Sequence, residues 1–367
     1  MDVEIHANHI ALSQEKLIDK GLELLGLTDC KPVATPLSVG VQLLKASKDD
    51  EAKFKKLNLN YRTFTGILNY LACRTRPDLA PAVSILSAFN NNPGINHWNQ
   101  IIHFWKYVKG SRHLHLTLRP NDPQGTQSIQ HFTDATWADD LETRLSRSGS
   151  ICFWKSCPVA WSSKKQRNIT LSSTEAEMNA LADGVQENQW VKFLVEELWN
   201  KTLEPSTFHV NNQGLVKKIK NFSSNSKTKH LDIKMKWLRN LKNKNEISVV
   251  LIPSKDMIAN TLIKSSNAES LNRLKEKYFL VQYSSKLLQP LASATWQSLV
   301  VALFRYLDHS QSRLLNSLAI QGCSPIKYHS APSSSITPLT PLHHQPSLRS
   351  TIIHPQDSLV KSQLGEN

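Results

Sequence analysis

A chain of 367 residues, 40% of them hydrophobic and nine of them Trp, holds enough apolar material for two domains of ordinary size, each with its own core. A formal net charge of +14 favours polyanionic partners, nucleic acid first among them. A membrane span is not expected, because the longest apolar stretch, around Leu291 to Leu307, is interrupted by Ser, Gln and Arg305 and falls short of the ~20 residues a span needs. Asp2, Glu4 and His6 stand where the basic and apolar parts of a secretion signal would be. The five cysteines are scattered and form no Cys-x-x-Cys pair, which argues against a disulfide framework or a zinc site. Reduced thiols in a cytoplasmic or nuclear protein, not a secreted one, are the expectation.

Residues 1–120 read as mainly helical. Tyr61, Phe64, Leu68 and Leu71 recur at helical spacing, and Trp98, Ile101, Ile102, Trp105 and Val108 repeat the pattern. Pro77-Asp78 ends one helix and starts the next, Asn91-Asn92-Pro93 breaks the chain before the Trp98 helix, and Gly110 stops that helix. From about 127 to 282 strand and helix mix. Gln130 to Asp134, Ser150 to Trp154 and Pro158 to Ser162 read as strands, and Ser172 to Trp199 as one long helix with Val191, Leu194, Val195 and Leu198 on one face. Thr207 to Val210 is a short strand leading into a helix from Gln213 to Lys220. A basic loop, Ser223 to Lys229, then precedes a helix through Trp237 and Leu241. Ile247 to Ile252, apolar and β-branched, suits a buried strand, and a short helix over about Asp256 to Lys264 closes the region. This order describes an α/β domain with a mixed sheet. Residues 283–367 change character. From Ser324 they are rich in Ser, Pro, Thr and His without periodicity, and read as a low-complexity, disordered tail.

Residues able to carry chemistry gather at strand and helix ends. Asp134 closes a strand beside small residues, where a carboxylate either points into a cleft or caps a turn. Ser172 with Glu175, or Thr174 with Glu177, makes a capping box at the start of the long helix, so each Glu is either a cap or a second cleft carboxylate. Lys164, Lys165 and Arg167 lie between a strand end and that helix, and Lys217, Lys218, Lys227, Lys229 and His230 form a second basic run. Side chains so spaced follow a phosphate backbone or make a solvated lysine face. Trp137 and Trp161 either stack on bases or ribose or, as aromatics at strand ends more often do, pack in the core, and Asp256 is expected to cap the last helix. His343-His344 has no cysteine or carboxylate at ligand spacing.

Five segments in order carry a resemblance: YRTFTGILNYLACRTRPDLA at Tyr61 to Ala80, FTDATWADD at Phe132 to Asp140, WSSKKQ at Trp161 to Gln166, LSSTEAE at Leu171 to Glu177 and TKHLDI at Thr228 to Ile233. Together they resemble the C-terminal part of copia-type retrotransposon Pol polyproteins, over about Val3 to Val281. The resemblance implies a ribonuclease H-like mixed sheet with flanking helices at 127–282. Before it, over 1–120, it implies the C-terminal remnant of a reverse transcriptase, thumb- or connection-like and without the polymerase's own catalytic Asp pair. Family members hydrolyse the RNA strand of an RNA–DNA hybrid, using two Mg²⁺ (or Mn²⁺) ions held by four carboxylates. Carried over residue by residue, the first carboxylate is Asp134 and the second Glu177, with Glu175 as the nearby competitor. The third position, Asp in the family's Asp-Asn-Gln, is here Asn211, and the fourth, Asp in Ala-Asp-x-Leu-x-Lys, is here Asn260. Two dications about 4 Å apart repel by on the order of 16 kcal/mol at an effective dielectric near 20, and anionic ligands must offset that repulsion. With amides at two of the four positions, half of that anionic charge is missing. The expectation is weak or absent metal binding and impaired hydrolysis, with RNA–DNA hybrid binding retained and the upstream polymerase part of Pol as a further partner. The other readings are a non-catalytic nucleic-acid-binding module and a decayed element without a selected function.

Overall fold

A computed structural model describes residues 1–120, 127–221, 229–264 and 268–278. The tail expected over 283–367 and Lys227 lie outside these residues, as do the side chains of Lys229 and His230. Near the N-terminus β1 (Asp2–Ile5) pairs antiparallel with β2 (Ile10–Ser13), which pairs antiparallel with β3 (Leu116–Leu118). Between β2 and β3 run α1 (Glu15–Leu24), α2 (Lys48–Lys56), α3 (Tyr61–Arg74), α4 (Ala80–Ser87) and α5 (Ile95–Gly110). The apolar spacings at 61–71 and 98–108 become α3 and α5, whose Phe64, Leu68, Leu71, Ile101, Trp105 and Val108 share one buried cluster. The small sheet was not expected. Its strands are too short to show an alternating pattern, and β2 finds β3 only after the whole helical region has folded back.

Between α3 and α4, Pro77-Asp78 turns the chain as expected, and Asp78 also anchors it. Its two carboxylate oxygens accept Arg76 Nε and an Arg76 terminal nitrogen, each at 2.8 Å, and the Tyr107 hydroxyl donates to it at 2.8 Å. Arg76 also donates to the Ser111 carbonyl at 3.0 Å and to Ser111 Oγ at 2.7 Å. Both charged side chains are buried. Burial works against ionised Asp78, but the Arg76 charge and these bonds outweigh it and hold the carboxyl below its ordinary range.

The second region contains β4 (Gln130–Ala135), β5 (Arg147–Trp154), β6 (Cys157–Lys165), α6 (Ser173–Trp199), β7 (Ser206–Val210), α7 (Gln213–Asn221), α8 (Lys229–Asn243), β8 (Ile247–Leu251) and α9 (Ala268–Tyr278). Short 3-10 turns at Ser254–Asp256 and Ile258–Leu262 separate β8 from α9. The sheet order is β6-β5-β4-β7-β8. β4, β5 and β6 form an antiparallel meander, whereas β7 lies parallel to β4 and β8 parallel to β7. This is a mixed sheet, as expected for the region. Lys155 and Ser156, with φ of 48° and 65°, make the two-residue turn of the β5–β6 hairpin. The long α6 crosses β4 at Gly184, where a Cβ would sit 2.7 Å from Thr133 Cγ2, so only glycine permits this approach.

One apolar cluster joins Ile151, Phe153, Val159, Val191 and Leu262 to Ile10, Leu12, Leu116 and Leu118 of the small sheet. The small N-terminal sheet and the α/β region therefore share a core. Trp161, partly buried, donates from Nε1 to the Ala72 carbonyl at 2.8 Å across the same junction. A second cluster gathers Met178, Leu181 and Val185 of α6 with Phe208, Val210, Leu215, Met235 and Leu238. β8 departs from the expected buried strand: it is the edge of the sheet, so Val250 and Leu251 remain exposed while Ile247 enters the core. The closing helix expected over 256–264 is instead the pair of 3-10 turns. Asp256 is exposed, and the Ile258–Leu262 turn after it follows Met257 with no side-chain cap. Among the described residues no helix is long and apolar enough to cross a membrane.

Candidate functional site

Because β4, β7 and β8 run parallel, their C-terminal ends open on one edge of the sheet, where α/β folds place their crevices. Asp134 stands near the end of β4, Asn211 directly follows β7, and Asn260 lies on the Ile258–Leu262 turn after β8. That turn rests on β5 at Gly149, the residue paired with Asp134. A Cβ at Gly149 would lie 3.0 Å from the Ala259 carbonyl oxygen and 2.8 Å from Ile263 Cγ2. A bare glycine therefore lets the Asn260 turn sit beside Asp134.

The start of α6 separates the two candidate glutamates. Ser172 Oγ accepts the Glu175 N–H at 3.2 Å, and the Glu175 carboxylate accepts the Leu171 N–H at 2.8 Å. Glu175 is thus spent on the helix cap. Glu177 faces Asp134, with 6% and 4% of their surfaces exposed. Burial, then the Asp134 charge, pushes the Glu177 carboxyl up to about 9. Burial also raises Asp134, against the lowering effects of Glu177, the Ala135 N–H at 2.8 Å, Lys264 and the Asn211 amide. The pair therefore retains one proton at neutral pH, carried mainly by Glu177. Glu177 Oε2 is buried without a hydrogen-bond partner.

Two carboxyls and two neutral amides offer a pair of divalent cations half the anionic charge that four carboxylates would. Such a pair needs several ionised oxygens around it. Among the described residues no three His, Cys, Asp or Glu side chains converge as a metal cluster.

The predicted basic residues fall into distinct places. β6 runs further than expected, so Lys164 and Lys165 sit on the strand itself. Lys164 is exposed, whereas Lys165 is paired with Asp140 at 2.5 Å. Burial opposes ionisation of Asp140, yet Lys165 and Thr143 bring its carboxyl down to about 2. Arg167 is exposed in the loop before α6, and Lys217 and Lys218 lie on α7, the first exposed and the second half-buried.

Three features escaped the reading of the sequence. Lys234 of α8 donates to Asn179 Oδ1 at 2.6 Å, Asn179 donates to Gln166 Oε1 at 3.2 Å, and Gln166 donates to Ser148 Oγ and the Ala176 carbonyl, each at 2.9 Å. This chain of bonds ties the end of β6, α6 and α8 together beside Glu177, and the Gln that closes WSSKKQ was its visible signal. Lys264, the Lys that closes the Asn260 segment, is near enough to act on Asp134. Trp137 is 55% exposed, not in the core as expected. The strand ends at Ala135, Ala138 turns the chain with φ of 52°, and Trp137 Nε1 donates to the Thr170 carbonyl at 3.1 Å.

No family model matches the chain. It is 31% identical over 255 residues to the retrovirus-related Pol polyprotein from transposon TNT 1-94 of Nicotiana tabacum, covering 69% of this chain and 19% of that protein. With the Pol polyprotein from transposon RE2 of Arabidopsis thaliana it is 32% identical over 266 residues, 71% of this chain and 18% of the other. It thus spans about a fifth of the length of these curated relatives. The uncharacterized mitochondrial protein AtMg00810 of Arabidopsis thaliana is 32% identical over 190 residues, 52% of this chain and 75% of that one. Among solved structures, LC11-RNase H1 aligns with 41% of this chain and 99% of its own, at 16% identity and a TM-score of 0.30.

Proposed function

The chain belongs to the retrovirus-related Pol polyproteins of transposons, and on that premise we propose that its ribonuclease H-like part binds RNA–DNA hybrid while hydrolysing the RNA strand poorly or not at all. The observation that carries this reading is the composition of the cleft. Asp134 and Glu177 face each other there, and Asn211 and Asn260 stand at the two positions where the resemblance implies Asp. The ancestral activity is metal-dependent hydrolysis of the RNA strand during reverse transcription. Asp134 and Glu177 remain as the ligands of a site too poor in charge to collect two Mg²⁺ or Mn²⁺ ions.

Binding needs less than catalysis. Lys164, Arg167, Lys217 and Lys218 supply positive charge for phosphates. The Lys234–Asn179–Gln166 bonds fix the end of β6, next to Lys164 and Arg167, against α6 and α8. The upstream polymerase part of Pol is the natural protein partner, since the Pol relatives are several times longer than this chain.

The test is fluorescence anisotropy with a labelled RNA–DNA hybrid across a salt series, in EDTA and in Mg²⁺. Affinity that falls with salt, does not depend on Mg²⁺ and exceeds affinity for heparin supports the reading. Equal affinity for hybrid and heparin overturns it.

A further inference from the structure

The five-stranded sheet ends in β6 on one side, where α4 and β3 lie against it, and in β8 on the other. Two bonds at the ends of β8 set the phase of its backbone. Ser206 N–H donates to the Glu246 carbonyl at 3.2 Å, and Ile252 N–H donates to the Val210 carbonyl at 2.9 Å. In a strand pair alternate residues turn their backbone groups to the neighbour. Glu246, Ser248, Val250 and Ile252 therefore face β7, and Ile247, Val249 and Leu251 turn N–H and C=O away from the sheet. Among the described residues no strand takes up those outward groups.

Natural edge strands are blunted by charge, proline, a bulge or a covering element. Ile247–Leu251 holds neither charge nor proline, and its register with β7 is unbroken. Ser248, Val250 and Leu251 are exposed. Such an edge accepts another extended strand, and its composition points to a second copy of β8 itself. A two-fold axis through Val249 sets two antiparallel β8 strands so that Val249 meets its counterpart, Ile247 meets Leu251 and Ser248 meets Val250. The three outward residues then form hydrogen-bonded pairs, and no charge enters the seam. Beyond it, the end carrying Lys244 and Glu246 meets the end carrying Lys255 and Asp256, so both signs are present at each end.

We propose that β8 pairs antiparallel with β8 of a second copy of this chain, joining the two sheets into one continuous sheet. The carboxylate clefts, at the C-terminal ends of the parallel strands, then open on opposite edges of the joined sheet. A five-residue edge buries less than a standard interface, so the dimer is weak, with a Kd in the micromolar range. Two chains of net charge +14 repel, and salt screens that repulsion. Association therefore tightens as salt rises, the reverse of binding to nucleic acid.

Sedimentation velocity of the full chain over about 1–200 µM, at low and at high salt, tests the pairing. The natural chain is expected to pass from the mass of one chain to that of two, at lower concentration when salt is high. Ser248→Lys plus Val250→Lys sets lysine against lysine twice across the seam and is expected to weaken association about tenfold. Ser248→Glu plus Val250→Lys sets glutamate against lysine in the same register and is expected to restore it. Both variants alter only exposed side chains, and melting at the lowest concentration checks that the fold is kept. A natural chain that stays monomeric throughout, its edge open or taken by another part of the chain, overturns the proposal. So does association that survives the double-lysine change, or that the glutamate–lysine change fails to bring back.

Discussion

Asn211→Asp is the most informative single change in the cleft. It places a third carboxyl beside two that already hold one proton between them. Neighbouring charges shift carboxyl pKa values when they are about 5 Å apart, and at that separation a unit repulsion at an effective dielectric near 20 is about 3 kcal/mol. Loss of the Asn211 amide, which favours ionised Asp134, adds about 1 kcal/mol. Protonation of the new carboxyl relieves part of the total. The expected net loss without metal is about 2–4 kcal/mol, or a melting point lower by roughly 3–8 °C for a cooperative unit of this size. A divalent ion at a hundred times its Kd returns about 2.7 kcal/mol. Thermal unfolding in EDTA and in MnCl₂ reads both effects: the variant melts lower in EDTA and recovers in Mn²⁺, and the natural chain melts alike in both. Equal melting of the two proteins in EDTA, or an equal Mn²⁺ gain in both, would refute the reasoning.

Removing one partner of the buried ion pair by Asp78→Ala strands Arg76 and should cost about 3–5 kcal/mol, seen as an earlier midpoint in urea, whereas Tyr107→Phe should cost about 1–2 kcal/mol. Glu177 has a folded pKa raised above its ordinary 4.5 to about 9, so its protonated form stabilises the fold below pH 4.5 and that stability is lost as pH rises toward 9. Urea midpoints should accordingly fall between pH 5.5 and 8.5 by up to about 1.4 kcal/mol per pH unit from this group, and Glu177→Gln should flatten the decline; an unchanged slope in the variant would contradict the assignment. Ser172→Ala deletes the α6 cap and should cost about 1 kcal/mol in the same assay without altering hybrid affinity.

The long periodic elements were readable because their burial is one-sided: the 98–108 repeat is α5, and the Ser172–Trp199 pattern is α6 with its cap one residue ahead. Partnership was harder to read than pattern. β8 has the composition of a buried strand, but its place at the sheet edge, decided by β7 alone, leaves Val250 and Leu251 in solvent. The three short strands of the N-terminal sheet depend on a pairing between Ile10 and Leu118 that no local window contains. In the cleft, chain order and motif placed Asp134 and Asn211 at strand ends and Asn260 on a closing helix; the structure brings the two strand ends to one edge and carries Asn260 on a 3-10 turn after β8. The choice between Glu175 and Glu177 needed the actual hydrogen bond from Leu171, since both glutamates satisfy a capping pattern. Trp137 was misplaced because aromatic identity speaks for the core, while a positive φ at Ala138 and a single bond to Thr170 hold it outside.

The central claim is that this cleft lacks the charge to assemble a hydrolytic centre. A labelled RNA–DNA hybrid incubated with Mn²⁺ tests it directly, with the natural chain, Asp134→Ala, and Asn211→Asp plus Asn260→Asp side by side. The natural chain should release no more product than Asp134→Ala, and the doubly restored chain should cut the RNA strand well above both. Cleavage by the natural chain at the rate of the restored one would contradict the account.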